Sequence, residues 1–170
     1  MIKKQISKGL KQTCWDWLQK NNMGTRSVFN GTKEQQLVGL IGEIMVKEHF
    51  DSAHNWTPGF DDGFDFERYG KRVDVKTMTR KTDVNPEQYV NNIFARQLNF
   101  NCDVYVFASL NTKKNELTIC GWIYKIEILK YFEMIPKGTT RKFGEMGTFD
   151  TSVDAYEIPM NKLNDIKTKW

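Results

Sequence analysis

Long apolar runs, histidine, cysteine and proline are all scarce in this 170-residue chain. No stretch of 18 apolar residues occurs, so a membrane-spanning helix is not expected. Three cysteines, Cys14, Cys102 and Cys120, are too few and too scattered for a disulfide framework or a Cys-x-x-Cys zinc site. His49 and His54 stand five apart and near no cysteine pair, which argues against a zinc centre. Without a further base, no Ser-His-Asp or Cys-His nucleophile emerges. The start, Met1-Ile2-Lys3-Lys4-Gln5-Ile6-Ser7-Lys8, has basic residues but no apolar segment behind them, so a secretory signal is not expected. Free thiols and no such signal point to a reducing, cytoplasmic setting. The net charge of +4 permits an acidic polymer as partner without establishing one.

What is present is core-forming material. Aromatic residues make up 13% of the chain, too many for a disordered polymer. The length fits one domain over residues 1–170, and no repeat, linker or low-complexity tract divides it. Ile2, Ile6, Leu10, Cys14 and Trp17/Leu18 recur at helical spacing and predict a helix over the first 20 residues. Thr32 precedes Gln35 by three, a capping-box pattern. Behind it Leu37, Leu40, Ile41, Ile44 and Glu48 mark one side of a second helix ending near Phe50. Further predictions are a helix over 87–99, a buried strand at 104–108, a strand at 116–124, a short helix at 126–132 and a last helix at 160–168. The expected fold is therefore α/β, a central mixed sheet flanked by helices.

Residues 64–76 carry the chemistry. Phe64 and Phe66 alternate with Asp65 and Glu67; after Tyr69-Gly70-Lys71, Val73 and Val75 alternate with Asp74 and Lys76. This pattern predicts a β-hairpin with the four apolar residues on one face. Asp65, Glu67, Asp74 and Lys76 then share the other face, whether Asp65 lies opposite Asp74 or opposite Lys76. Aspartates so close repel unless a cation lies between them, and hard oxygen donors at this density suit Mg²⁺. Lys76 reaches the same side and is placed to stabilise charge on a phosphate. Glu43, between Gly42 and Ile44, overhangs the hairpin if Gly39 and Gly42 let the helix approach closely. Each glycine costs the helix roughly 1 kcal/mol against alanine, which calls for such a compensation.

Gly42-Glu43, then Gly63-Phe64-Asp65-Phe66, then Asp74-Val75-Lys76-Thr77 resemble the PD-(D/E)XK nuclease superfamily, the restriction-endonuclease-like fold. The resemblance extends over about residues 33–125. It implies Mg²⁺-dependent hydrolysis of DNA phosphodiesters, by an endonuclease, with Mn²⁺ able to substitute and a homodimer as one possible assembly. It implies Asp65, Asp74, the Val75 carbonyl and Glu43 as metal ligands, Glu43 alternatively holding water on the metal, and Lys76 as the catalytic lysine. The residue before Asp65 is Phe64 rather than proline, a departure at a position where the family varies. Asp61 and Asp62 are competing first aspartates, less consistent with the hairpin's alternation.

Thr77, Arg80 and Lys81 continue the catalytic strand, and Arg96 and Gln97 follow on the next predicted helix; these are the candidate nucleic-acid contacts. Arg68, Lys71, Arg72, Lys137, Arg141 and Lys142 are further backbone contacts in the same scheme. A solvated, ion-paired hairpin surface is the ordinary explanation of such a pattern. Two other functions stay open: a non-catalytic nucleic-acid-binding or interaction module on the same fold, and a Holliday-junction-type resolvase.

Overall fold

The computed structural model describes residues 1–21, 23, 31–56, 63–142 and 147–170. A five-stranded mixed sheet runs through its centre. In chain order the strands are β1 (Ile2–Gln5), β2 (Phe66–Arg68), β3 (Lys71–Arg80), β5 (Val104–Asn111) and β6 (Glu116–Tyr124). Their order across the sheet is β1-β6-β5-β3-β2, with β3 and β5 parallel and every other pair antiparallel. Helices α1 (Lys8–Lys20), α2 (Lys33–His49) and α3 (Lys125–Tyr131) flank it. A second sheet, of order β4-β10-β7, joins Val90–Phe94, Ala155–Pro159 and Met134–Ile135, and Thr140–Lys142 (β8) pairs with Thr148–Asp150 (β9). Among the described residues no helix is long and apolar enough to cross a membrane.

The central strand explains the layering. Every residue of β5 is buried. Val104, Val106, Ala108 and Leu110 face one apolar cluster, together with Ile41, Ile44 and Met45 of α2 and Cys14 and Leu18 of α1. Tyr105 and Phe107 face a second cluster, with Ile93 of β4, Ile128 of α3 and Ile158 of β10. A strand covered on both sides reads as an unbroken apolar run. Beside it, β6 changes register between Phe107 and Ala108 of β5. That irregularity moves β6's first-cluster residues from the odd positions Leu117 and Ile119 to the even position Trp122.

Several expectations from sequence hold and several are corrected. The capping box of α2 forms, with Thr32 Oγ1 accepting from Gln35 N–H and Gln35 Oε1 accepting from Thr32 N–H. Glu48, placed with the helix's inner side, is exposed. All three cysteines are buried and free, and burial pushes each thiol up to about 12.

The first six residues do not extend α1. Ile2 and Ile6 are separated by four, a spacing that also satisfies a two-residue period, and β1 pairs with β6 instead. Ser7 then caps α1, its Oγ accepting from Leu10 N–H at 3.0 Å. The helix expected over 87–99 is β4 followed by a 3-10 turn at Ala95–Asn99. Here Asn91 and Ile93 are buried in alternation, because β10 supplies a partner from far along the chain. The expected C-terminal helix reduces to a 3-10 turn at Met160–Lys162, preceded by β10.

Candidate active site

The hairpin places the site. Arg68 pairs with Lys71 across Tyr69 and Gly70, whose φ values of 51° and 70° are those of a tight two-residue turn. Register then sets Glu67 against Arg72 and Phe66 against Val73, and β2 begins at Phe66. Phe66, Val73 and Val75 pack on the helix-side cluster as the alternation requires. Phe64 does not join them; it packs on the opposite cluster, because the regular strand starts only two residues later.

Beyond Val73 the outer edge of β3 has lost its β2 partner, and Asp65 takes over that edge. Its N–H donates to Val73 O at 2.8 Å, and its carboxylate Oδ2 accepts from Val75 N–H at 2.6 Å. A side chain thus supplies the acceptor that a longer strand would have given. Asp74 and Lys76 share the face of Tyr105 and Phe107, the residues beside them on β5. Lys76 Nζ lies 2.5 Å from Asp74 Oδ2 and 5.9 Å from the centre of the Tyr105 ring.

Glu43 comes from the other face, on α2. Gly42 lets the helix in: a Cβ there would lie 1.8 Å from Thr77 Oγ1. Gly39, expected to serve the same approach, has nothing within 4 Å of where its Cβ would be, so only one of the two glycines has that reason. Lys47 Nζ donates to Glu43 Oε1 at 2.7 Å, and His54 Nδ1 lies 3.2 Å from the same oxygen. Burial pushes the Glu43 carboxyl up, but His54 and Lys47 outweigh it and hold the group below the usual glutamate range.

Asp65 is in the contrary position. Burial first, then the charges of Asp74 and Glu43, push its carboxyl well above the ordinary aspartate range; Lys76 and the Val75 N–H offset only part. Asp74, Glu43 and Lys76 thus each act on Asp65 through their charge. Asp61 and Asp62 lie outside the described residues.

Among the described residues, no group of three or more His, Cys, Asp or Glu side chains is arranged to hold a metal ion. Mg²⁺ asks for less than such a cage, since it binds through one or two carboxylates and keeps several waters. The donor chemistry fits it: Asp65 and Asp74 offer hard carboxylate oxygens, burial and then the Asp74 charge push the Asp65 carboxyl up, and a divalent cation would offset both.

The candidate nucleic-acid contacts separate from one another. Thr77 turns toward α2, and its buried hydroxyl has no hydrogen-bond partner among the described residues. Arg80 donates to Val90 O at 2.8 Å and lies over the Tyr89 ring at 4.3 Å, tying β3 to β4. Gln97 caps its own turn, its Oε1 accepting from Phe94 N–H at 3.1 Å. Lys81 and Arg96 are exposed.

Other basic residues are engaged within the fold. The Arg72 guanidinium binds Asp103 at 3.0 Å and holds its carboxyl down to about 2. Arg141 pairs with Glu157, and Arg68 sits over Phe50 at 4.1 Å.

Lys47 and His54 are the site residues that sequence reasoning passed over. Lys47 was within reach, standing four residues after Glu43 on a predicted helix. His54 was not: its approach depends on the turn after α2, where Asp51 adopts φ 54°. Comparison with protein-family models, with curated proteins and with solved structures returns no match.

Proposed function

We propose that the protein is a metal-dependent nuclease that hydrolyses DNA phosphodiester bonds, with Asp65, Asp74, Lys76 and Glu43 as its working residues. One observation carries this reading. Asp65, fastened to the Val75 N–H at the open edge of β3, lies within electrostatic reach of Asp74 and Lys76 from one face and of Glu43 from the other. An exposed hairpin decorated with solvated ion pairs would have no reason to withdraw these carboxylates from water, Asp74 being buried and Asp65 and Glu43 half-buried, at a cost in folding free energy.

In this reading Asp65 and Asp74 hold Mg²⁺, with Glu43 and the Val75 carbonyl as further ligands and Mn²⁺ as a substitute. When bound, the ion supplies Lewis acidity toward a phosphoryl oxygen. Lys76, held beside Asp74, presents its ammonium to the negative charge that grows on the phosphate during attack. Asp74 keeps that ammonium oriented, and Tyr105 walls its other side.

Incubation of supercoiled plasmid with the protein in Mg²⁺, Mn²⁺ or EDTA tests the proposal. Nicking or linearisation should require the divalent ion, and Lys76→Ala should slow it by on the order of 10²-fold. An Asp74→Ala protein that cleaves at the full rate would falsify it. Retarded but uncut plasmid in every metal would instead identify a binding module.

A further inference from the structure

Lys47 and His54 belong to no part of the nuclease motif, yet both reach Glu43 and both reach the same oxygen. Lys47 Nζ lies 2.7 Å and His54 Nδ1 3.2 Å from Oε1. Lys47 donates a hydrogen bond to that oxygen and His54 Nδ1 stands within ion-pair distance of it, so both constrain the rotation of the carboxylate about its last bond. The imidazole is itself held, because Trp56 stands edge-on to it with ring centres 4.7 Å apart and an interplanar angle of 88°. Trp17 of α1 lies against Trp56 in turn, with centres 5.9 Å apart.

We propose that Lys47 and His54 are positioning residues for Glu43, gripping it by one oxygen so that the other is presented to the cation site at Asp65 and Asp74. The proposal rests on the cation-site reading given above. Stability alone does not account for the arrangement. The Lys47 side chain is only 5% exposed and that of Glu43 13%, and buried ion pairs of this kind are often replaceable by apolar side chains with no loss of stability. A carboxylate that must hold one orientation needs such partners, and groups that orient a metal ligand typically alter metal affinity by about 10–100-fold when removed.

Mn²⁺ binding to the full chain, followed by the electron paramagnetic resonance of the free ion, tests this without any turnover; melting temperatures are recorded beside it. His54→Phe should weaken Mn²⁺ binding by about tenfold. His54→Asn, whose amide nitrogen falls near the position of Nδ1, should recover most of that loss although its melting temperature is no higher. Lys47→Met should weaken binding as well while remaining folded. Wild-type protein that takes up Mn²⁺, and a His54→Phe variant that matches it within about twofold while Asp74→Asn has lost the ion, would overturn the positioning role and leave the cation site standing. Wild-type protein that takes up no Mn²⁺ would overturn the cation site and this proposal together.

Discussion

The two faces of the central sheet are built in different ways. On one face, α1 and α2 lay contiguous amphipathic stretches over Val73, Val106 and Ile119, and the cluster there is almost wholly apolar. On the other, β4 and β10 come together from distant parts of the chain over Tyr105 and Phe107. That second face also admits polar groups: Asp74, Lys76, Arg80 and Asn91. Asn91 is fully buried, and neither atom of its side-chain amide has a hydrogen-bond partner among the described residues. The difference teaches where chemistry can reside in this fold. The face closed by helices confines its charge to the Glu43–Lys47 pair of α2, whereas the one closed largely by short strands leaves polar side chains inside and open strand edges beside them. The candidate site lies at such an edge, with Glu43 reaching round from the helical side.

Substitutions on each face sharpen the contrast. The largest effect is expected of Phe107→Ala, which empties a fully buried site on the mixed face and should cost about 3–5 kcal/mol in denaturant unfolding. A loss below about 1 kcal/mol would mean that the cover formed by β4 and β10 collapses freely onto the gap. Asn91→Leu should act in the opposite direction. Removing two unpartnered polar atoms at similar volume should raise stability by about 1–3 kcal/mol. A destabilised Asn91→Leu protein would show that the amide is satisfied in solution and that the mixed face is better paired than it looks.

On the helical face, Gly42→Ala should cost about 1–3 kcal/mol through overlap with Thr77. Thr77→Ala should recover part of that loss in a double-mutant cycle, and strictly additive effects would break the claimed contact.

The smallest expected change is the gain from Asp65→Asn. Asp65 holds its proton more tightly in the folded than in the unfolded chain, so the folded state carries the extra proton between the ordinary aspartate range and the raised value. Stability therefore falls as pH rises through that window. Asp65→Asn should flatten the fall and leave the protein more stable near pH 7, read from chemical denaturation across pH. Asp103 should give the reverse slope. Its contribution is present above the ordinary aspartate range and is lost as pH falls toward about 2. A variant whose slope matches the wild type would show that Asp65 is not crowded.

Much of the architecture was written locally. The Thr32–Gln35 cap, the apolar spacing of α2, the turn at Tyr69-Gly70 and the unbroken apolar run of β5 each depend on neighbours a few residues away. Short-range physics is legible in a sequence for that reason. The alternation of residues 64–76 placed Asp74 and Lys76 on one face by the same means and set Asp65 beside them, while Glu43 was marked by the glycines of its helix and by the family resemblance.

The tertiary structure decided what depends on distant partners. Ile2 and Ile6 fit a helix and a strand equally well, and only β6 chose between them. Tyr89, Ile93 and Leu98 fit a helix until β10 offered a ladder to Asn91 and Ile93. Phe64 left its expected face because β2 starts later than the alternation does. His54 entered the site because the chain turns back after α2. Spacing in a sequence sets which faces a segment can present. Which of them is buried, and which side chains then meet, is set by burial against partners that no local pattern contains.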